Sequence, residues 1–146
     1  MAVDVQVEIV IQRPRAEVAA FAGDPSNAPG WYANIKSIEW KTSPPLALGS
    51  RMAFVAQFLG KRLAYEYQVV ELQPGSKLVM RTAQGPFPME TTYTWEDAAV
   101  GACRMSLQNR GEPSGFGRWA APLMALAMRR AMQKDLQKLK RVLEAG

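Results

Sequence analysis

A long amphipathic segment near the C-terminus decides the fold: residues 115–144 read GFGRWAAPLMALAMRRAMQKDLQKLKRVLE. Its apolar side chains advance mostly by three or four positions, which is the spacing of one helix face. Alanine, methionine, leucine, lysine and glutamine dominate the segment, and all of them favour helices. The pattern predicts one helix over residues 115–144, about 45 Å long at the usual helical rise. Pro122 lies inside it and is expected to kink or break it near Trp119.

Upstream of this helix, the sequence predicts a strand and then two short helices. Apolar and polar residues alternate from Val3 to Ile11, which is the period of a half-buried strand. Pro14 ends that strand and suits the first turn of a helix, which is expected over residues 14–22. A turn-rich stretch follows, and a second short helix is expected around Trp31–Ile35.

In residues 36–110, turn signals separate short strand patterns, as in a meander of strands. Alternating apolar residues are separated by Pro44-Pro45, Gly60, Pro74-Gly75 and Gly85-Pro86, with no helical spacing between them. Consecutive strands should therefore pair antiparallel. The predicted fold class is α+β: a seven-stranded curved antiparallel sheet, two short helices after the first strand, and a long C-terminal helix packed across the sheet.

Length and composition favour a single domain over residues 1–146, with 48% hydrophobic residues to form its core. The only cysteine, Cys103, excludes an intrachain disulfide and any zinc site that needs several cysteines. The chain has no histidine, which excludes His-ligated metals and the Ser-His-Asp and Cys-His nucleophile arrangements. We expect neither a metal ion nor another cofactor.

One dinucleotide-binding pattern is rejected. Residues 115–120 fit G-x-G-x-x-A, but the chain ends after the following helix, so the second parallel strand of that motif has no residues left to form it.

The expected location is cytoplasmic, because the N-terminus lacks a basic signal-peptide segment. Residues 119–128, the longest charge-free apolar run near the helix, are also too few for a membrane span of about 20 residues.

The positive charge is concentrated at the C-terminal end. Residues 115–146 carry seven bases and two acids, so 7 − 2 = +5 accounts for the whole net charge of the chain. A solvated helix face is the simplest reading of these bases. The open alternative is transient contact with an anionic membrane surface through Arg129, Arg130 and Lys134. Nucleic-acid binding is not expected, because the polar strand positions lack interleaved aromatic residues.

A curved sheet cannot contact a straight helix along its whole length, so a gap should open between them. The apolar and aromatic residues on the predicted inner faces, with Met132 of the helix, are expected either to fill a core or to bind a ligand. Three tyrosines favour the ligand reading, since buried phenols need hydrogen-bond partners that phenylalanine would not. The candidate ligand-binding residues are Trp31, Phe54, Phe58, Tyr65, Tyr67, Met80, Met89, Tyr93, Met105, Trp119, Leu123 and Leu126.

For the other candidate residues, the sequence allows a purely structural explanation as well as a functional one. Trp31 and Tyr32 form either a hydrophobic plug under a loop or a gate over the mouth of the pocket. Arg81 is expected in an exposed cross-strand ion pair, although an inward guanidinium would polarise a ligand carbonyl. Cys103 is expected to be a small buried hydrophobic residue.

The chain resembles the START-like or helix-grip superfamily, also called SRPBCC, and in particular its polyketide cyclase/dehydrase and lipid-transport branch. The resemblance rests on the order of loose motifs over nearly the whole chain. They are IQRPRAEVAAF at 11–21, Trp31 with the Trp40 strand, LGS at 48–50, VELQP at 70–74, GPFPMETTYTW at 85–95, GEPSGF at 111–116 and the amphipathic helix.

The resemblance implies a deep cavity between sheet and helix for a hydrophobic ligand such as a lipid, sterol or polyketide. It implies no shared reaction, and no residue here matches the Arg and Tyr roles of polyketide cyclases one by one. Binding or transport of a small hydrophobic molecule is therefore the first reading. A polyketide cyclase or aromatase-type enzyme without metal or nucleotide is the second, and a protein-interaction module is the third. Either a monomer or a homodimer is compatible with all three.

Overall fold

A computed structural model describes residues 3–112 and 121–145 of the chain. A 3₁₀ turn at Pro25–Asn27 precedes the second helix. The elements, in chain order, are β1 (Val3–Ile11), α1 (Arg15–Ala22), α2 (Ala28–Trp31), β2 (Ile35–Trp40), β3 (Arg51–Phe58), β4 (Lys61–Gln73), β5 (Lys77–Gln84), β6 (Met89–Asp97), β7 (Cys103–Gly111) and α3 (Ala121–Ala145).

The strands form one seven-stranded antiparallel sheet in the order β1-β7-β6-β5-β4-β3-β2. The predicted fold class and the antiparallel pairing of consecutive strands from β2 to β7 are confirmed. β1 pairs with β7 along its whole length, from Val3 opposite Gly111 to Ile11 opposite Cys103. Register shifts in β2 and at two places in β4 interrupt the ladders, and such bulges bend and twist a sheet.

α3 packs across the sheet chiefly against β1, and it also contacts α2. Its buried side chains include Leu136, Leu139 and Leu143, at the three- and four-residue spacing that the sequence predicted. Two polar contacts attach the end of the helix to the end of β1. The Lys140 ammonium donates to the Val10 carbonyl at 2.8 Å, and the Gln12 backbone N–H donates to the Glu144 carboxylate at 2.7 Å.

The second short helix lies earlier than predicted. α2 ends at Trp31, and Ile35 already begins β2, so the prediction of a helix over Trp31–Ile35 is wrong. The helical stretch starts at Asp24, whose carboxylate accepts the Ser26 backbone N–H at 3.0 Å. Pro25 then occupies the first turn, where a missing N–H costs nothing.

The predicted kink near Trp119, and helix positions 115–120 in general, lie outside the described residues. Pro122 is the second residue of the described part of α3. Within residues 3–112 and 121–145, no helix is long and apolar enough to cross a membrane.

Candidate ligand-binding cavity

A cavity of about 170 Å³ lies between the inner face of the sheet, the segment after α2, and α3. Its wall is mostly apolar, with a few polar side chains that converge on the same space. The apolar and aromatic wall includes Ile35, Phe54, Ala56, Phe58, Leu63, Tyr65, Tyr67, Met80, Phe87, Met89, Tyr93, Met124, Met128, Ala131 and Met132. The polar wall includes Tyr32, Asn34, Thr91, Asn109 and Asp135.

Most of the candidate residues on the strands lie on this wall, because the period of two places them on the inner face. They are Phe54, Phe58, Tyr65, Tyr67, Met80, Met89 and Tyr93. Two other candidates, Met105 and Trp31, are completely buried but do not line the cavity. They belong to the packed core instead.

The structure corrects the prediction on the helix. Leu123 and Leu126 are 52% and 46% exposed and do not line the cavity. The stripe of α3 that faces the cavity runs through Met124, Met128 and Asp135, and at about 100° per residue Leu123 and Leu126 point away from it. Trp119 lies outside the described residues.

Trp31 is a plug rather than a gate. Its side chain is 0% exposed, and its ring lies 4.1 Å from the Tyr32 ring and 5.9 Å from the Tyr93 ring, measured between centroids. Tyr32, the next residue, lines the cavity. Trp31 therefore supports the aromatic wall from behind and does not close an opening.

The tyrosine hydroxyls on the wall are mostly bonded to the protein. The Tyr32 and Tyr93 hydroxyls lie 2.6 Å apart. The Tyr67 hydroxyl lies 2.8 Å from Thr91 Oγ1, which donates to Asn109 Oδ1 at 2.6 Å. Among the described residues, the Tyr65 hydroxyl has no hydrogen-bond partner.

Burial raises the pKa of all four phenols, that of Tyr67 to about 12. They are therefore neutral at physiological pH and able to donate hydrogen bonds.

The Thr91 hydroxyl is expected to be important for stability. We expect Thr91→Val to lower the free energy of unfolding by about 1–3 kcal/mol, because the Tyr67 hydroxyl and the Asn109 carbonyl would both lose a buried partner. Thr92→Val is the matched control, since its side chain points to the opposite face of the same strand. Urea denaturation measures both, and equal effects for the two variants would contradict the role given to Thr91.

Asp135 is the acidic wall residue that the sequence analysis missed, beside the uncharged Asn34, Thr91 and Asn109. Its side chain lines the cavity, and the residue is only 3% exposed. One carboxylate oxygen, Oδ1, accepts the Ala33 backbone N–H at 3.0 Å. Burial raises its pKa from 3.8 to about 6, although that hydrogen bond and the Lys138 charge act in the opposite direction. An acid with this pKa exchanges its proton close to neutrality.

A sequence signal for Asp135 exists. It lies three residues after Met132 and four before Leu139, so it occupies a position on the apolar face of the helix. An acid at such a position must either reach solvent or find a buried environment. The Ala33 N–H that it meets comes from a distant part of the chain, which no local pattern reveals.

Arg81, the charged candidate on the strands, does not line the cavity. Arg81 lies 2.7 Å from the Glu90 carboxylate, which Arg110 also contacts at 2.9 Å. The Arg81 hydrogen bond lowers the pKa of Glu90. The inward-facing alternative for Arg81 is therefore wrong.

Cys103 is completely buried, as predicted, and burial raises the pKa of its thiol. In the described part of the chain, no three His, Cys, Asp or Glu side chains come together as a metal site.

A curled antiparallel sheet around a long C-terminal helix defines a protein of the helix-grip, START-like class. The chain belongs to the polyketide cyclase/dehydrase and lipid transport family, whose model matches residues 2–144. The predicted resemblance is thereby confirmed. Comparison with curated proteins found no significant match.

Solved structures share the whole fold at low sequence identity. TTHA0849 from Thermus thermophilus is 22% identical with a TM-score of 0.83, over 98% of this chain and 99% of that one. A START superfamily protein from Mycobacterium smegmatis is 12% identical with a TM-score of 0.84, over 97% of both chains. The ZhuI aromatase/cyclase from Streptomyces sp. R1128 is 13% identical with a TM-score of 0.77, over 100% and 99%.

Proposed function

We propose that this protein binds a small hydrophobic molecule in the cavity between the sheet and α3. The observation that carries the proposal is a largely apolar wall around about 170 Å³, with a few polar groups directed into it. An engineered apolar cavity of roughly 150 Å³ binds benzene. The described wall therefore suits a body about the size of one substituted ring.

A longer guest, such as a lipid or a polyketide chain, would need the wall to move. Five methionines line the cavity, and their unbranched side chains adapt to irregular shapes at low cost. They are Met80, Met89, Met124, Met128 and Met132. Membership of the polyketide cyclase/dehydrase and lipid transport family supports a hydrophobic guest.

The methionines also provide the test. We expect ethylbenzene to shift the methyl resonances of the five cavity methionines in ¹³C-methyl NMR spectra, saturably with concentration. Met52 and Met105 are completely buried away from the cavity and are the internal controls. Unchanged cavity methyls at saturating ethylbenzene would refute the proposal, and equal shifts at all sites would indicate nonspecific binding and also count against it.

Filling the cavity is expected to abolish binding. Ala131 lies on the helix wall, and Ala131→Phe would place a ring in the space that the guest needs. We expect at least a tenfold loss of ethylbenzene affinity, with the fold retained. Ala127→Phe, one turn earlier and off the wall, is the matched control and should keep wild-type affinity. Undiminished binding by Ala131→Phe would mean that the guest binds elsewhere.

A cyclase-type enzyme is the second candidate, and Asp135 is the observation that favours it. Ring closure of a polyketone and loss of water both need a group that accepts a proton near neutral pH, and the neutral phenols could donate to a carbonyl oxygen. The structural likeness to an aromatase/cyclase supports this candidate. If the wild-type protein turns over a poly-β-ketone and Asp135→Asn does not, the enzyme function is established. If the wild-type protein binds the poly-β-ketone without turnover, the carrier function remains.

Membrane contact, oligomeric state and a cytoplasmic location remain predictions. Of the bases named for a membrane surface, Arg129 donates to the Gln6 carbonyl at 3.0 Å, whereas Arg130 and Lys134 lie on the exposed side of α3. A role as a protein-interaction module has no specific observation in its favour.

A further inference from the structure

The charge of the cavity suggests which polar group a guest carries. Asp135 is the acid on the described wall, and Ala33 occupies only its Oδ1 atom. The other carboxylate oxygen, Oδ2, has no hydrogen-bond partner among the described residues. A buried carboxylate that lacks a full set of partners is costly, and a guest able to donate to Oδ2 would relieve that cost.

The cationic side chains that the structure describes near the cavity do not neutralise Asp135. Arg110 of β7 lines the cavity, but its guanidinium is bonded to Glu90 at 2.9 Å. Lys138 of α3 is exposed, and its charge is a minor influence on Asp135 compared with burial. Above its pKa, Asp135 therefore gives this part of the cavity a negative charge.

In the part of the chain that the structure describes, the titratable groups that face Asp135 from the other elements are phenols. Tyr32 follows α2 and Tyr93 lies on β6, and the Asp135 charge helps to raise the pKa of both. Tyr65 and Tyr67 line the same cavity from β4. All four are neutral, and their ring faces are favourable surfaces for a cation.

We propose that the cavity selects a small aromatic or aliphatic amine, with its protonated nitrogen at Asp135 Oδ2 and its apolar body among the aromatic and methionine side chains. This inference rests on the proposed function, since it names the class of guest for the same cavity. An ammonium supplies both the charge and the hydrogen-bond donors that Oδ2 lacks. A guest with a carboxylate would meet like charge and is excluded.

Three probes of one shape test the inference: 2-phenylethylamine, 2-phenylethanol and ethylbenzene. We expect Asp135→Asn to weaken 2-phenylethylamine binding at least tenfold at pH 7.5, by NMR titration of the cavity methionines. Ethylbenzene affinity should fall by much less than amine affinity, because asparagine keeps the shape and can still accept the Ala33 N–H. Glu8→Gln, which removes one exposed negative charge on β1, is the control and should affect no probe.

The pH dependence gives a second readout that needs no variant. Since Asp135 ionises with a pKa of about 6, wild-type affinity for 2-phenylethylamine should rise about tenfold from pH 5 to pH 7.5, whereas ethylbenzene affinity should stay constant. This series decides the matter even if Asp135→Asn fails to fold.

The possible failures are distinguishable. Suppose that ethylbenzene binds in the cavity, but the amine affinity changes neither with pH nor in Asp135→Asn. This result would overturn the amine inference and leave the proposed function intact. A cavity that takes up none of the three probes would overturn both.

Discussion

Replacing Trp31 with alanine is expected to lower the free energy of unfolding by about 3–5 kcal/mol. The indole is 0% exposed, and it packs against the rings of Tyr32 and Tyr93. The surrounding strands and helix cannot close over a void of that size, so both apolar transfer and packing are lost. Guanidinium or urea denaturation measures the loss.

Two control variants separate burial from hydrogen bonding. The Trp31 Nε1–H is buried and has no hydrogen-bond partner among residues 3–112 and 121–145, so Trp31→Phe loses no bond seen there and should cost clearly less than Trp31→Ala. Trp40→Ala makes the same truncation on the edge strand β2, where the side chain is only partly buried and its Nε1–H donates to Ser26 at 2.9 Å. If Trp31→Ala cost no more than Trp40→Ala, the supporting role given to Trp31 would be wrong.

Such a loss would also affect the cavity. Tyr32 shares its hydroxyl contact with Tyr93, and both rings rest on Trp31. With that support removed, the two phenols would be free to turn into the vacated space. We therefore expect Trp31→Ala to weaken binding of a hydrophobic probe, although Trp31 itself does not line the cavity.

The strands could be predicted in detail because an alternating pattern determines both the element and its buried face. Tyr67, Met80 and Tyr93 were placed on the inner face for this reason, and all three lie on the cavity wall. The pairing of β1 with β7 could not be predicted in the same way, because it joins residues about a hundred positions apart. Turn signals determine only which strands are neighbours in sequence.

The helix was harder to predict because its first eight described residues, 121–128, are all apolar. Leu123, Leu126 and Met124 follow one another closely, and local spacing does not show which of them faces the sheet. The buried stripe becomes distinct only farther along, from Met132 onward, where charged residues separate the leucines. Extending that stripe backwards by turns of the helix leads to Met128 and Met124, and not to the two leucines.

The sequence predicted that the buried phenols need hydrogen-bond partners, but it did not predict which residues provide them. This need favoured a ligand. The Thr91 and Tyr32 hydroxyls satisfy two of the phenols instead. These partners come from other strands and from the segment after α2, so they depend on tertiary register, which single-sequence patterns do not encode.

The second large effect is expected from Asp135, as a pH dependence of stability. The folded protein binds the Asp135 proton more tightly than the unfolded chain, because burial raises the pKa from 3.8 to about 6. This contribution to stability is fully present below the unfolded pKa and is lost as the pH rises through the folded pKa. With pKa values of 3.8 and about 6, about 2 kcal/mol of this contribution is lost between pH 4 and pH 8.

Asp135→Asn isolates this effect, because asparagine cannot ionise and keeps the size of the side chain. We expect the stability of the variant relative to wild type to rise by about 2 kcal/mol from pH 4 to pH 8, as measured by urea denaturation at each pH. The comparison with wild type is necessary because Glu90 and Glu144, whose pKa values are lowered by hydrogen bonds, change stability in the opposite direction.

A constant difference between Asp135→Asn and wild type across this pH range would show that the carboxylate titrates as it does in water, and that the cavity is too wet to discriminate among guests by charge. A rising difference would mean that the folded protein tolerates an ionised acid in an apolar space at a cost to its own stability. Proteins commonly accept such a cost at binding and catalytic sites. The guest that donates to Oδ2 would then recover part of that free energy, which links the instability of the unliganded protein to its selectivity.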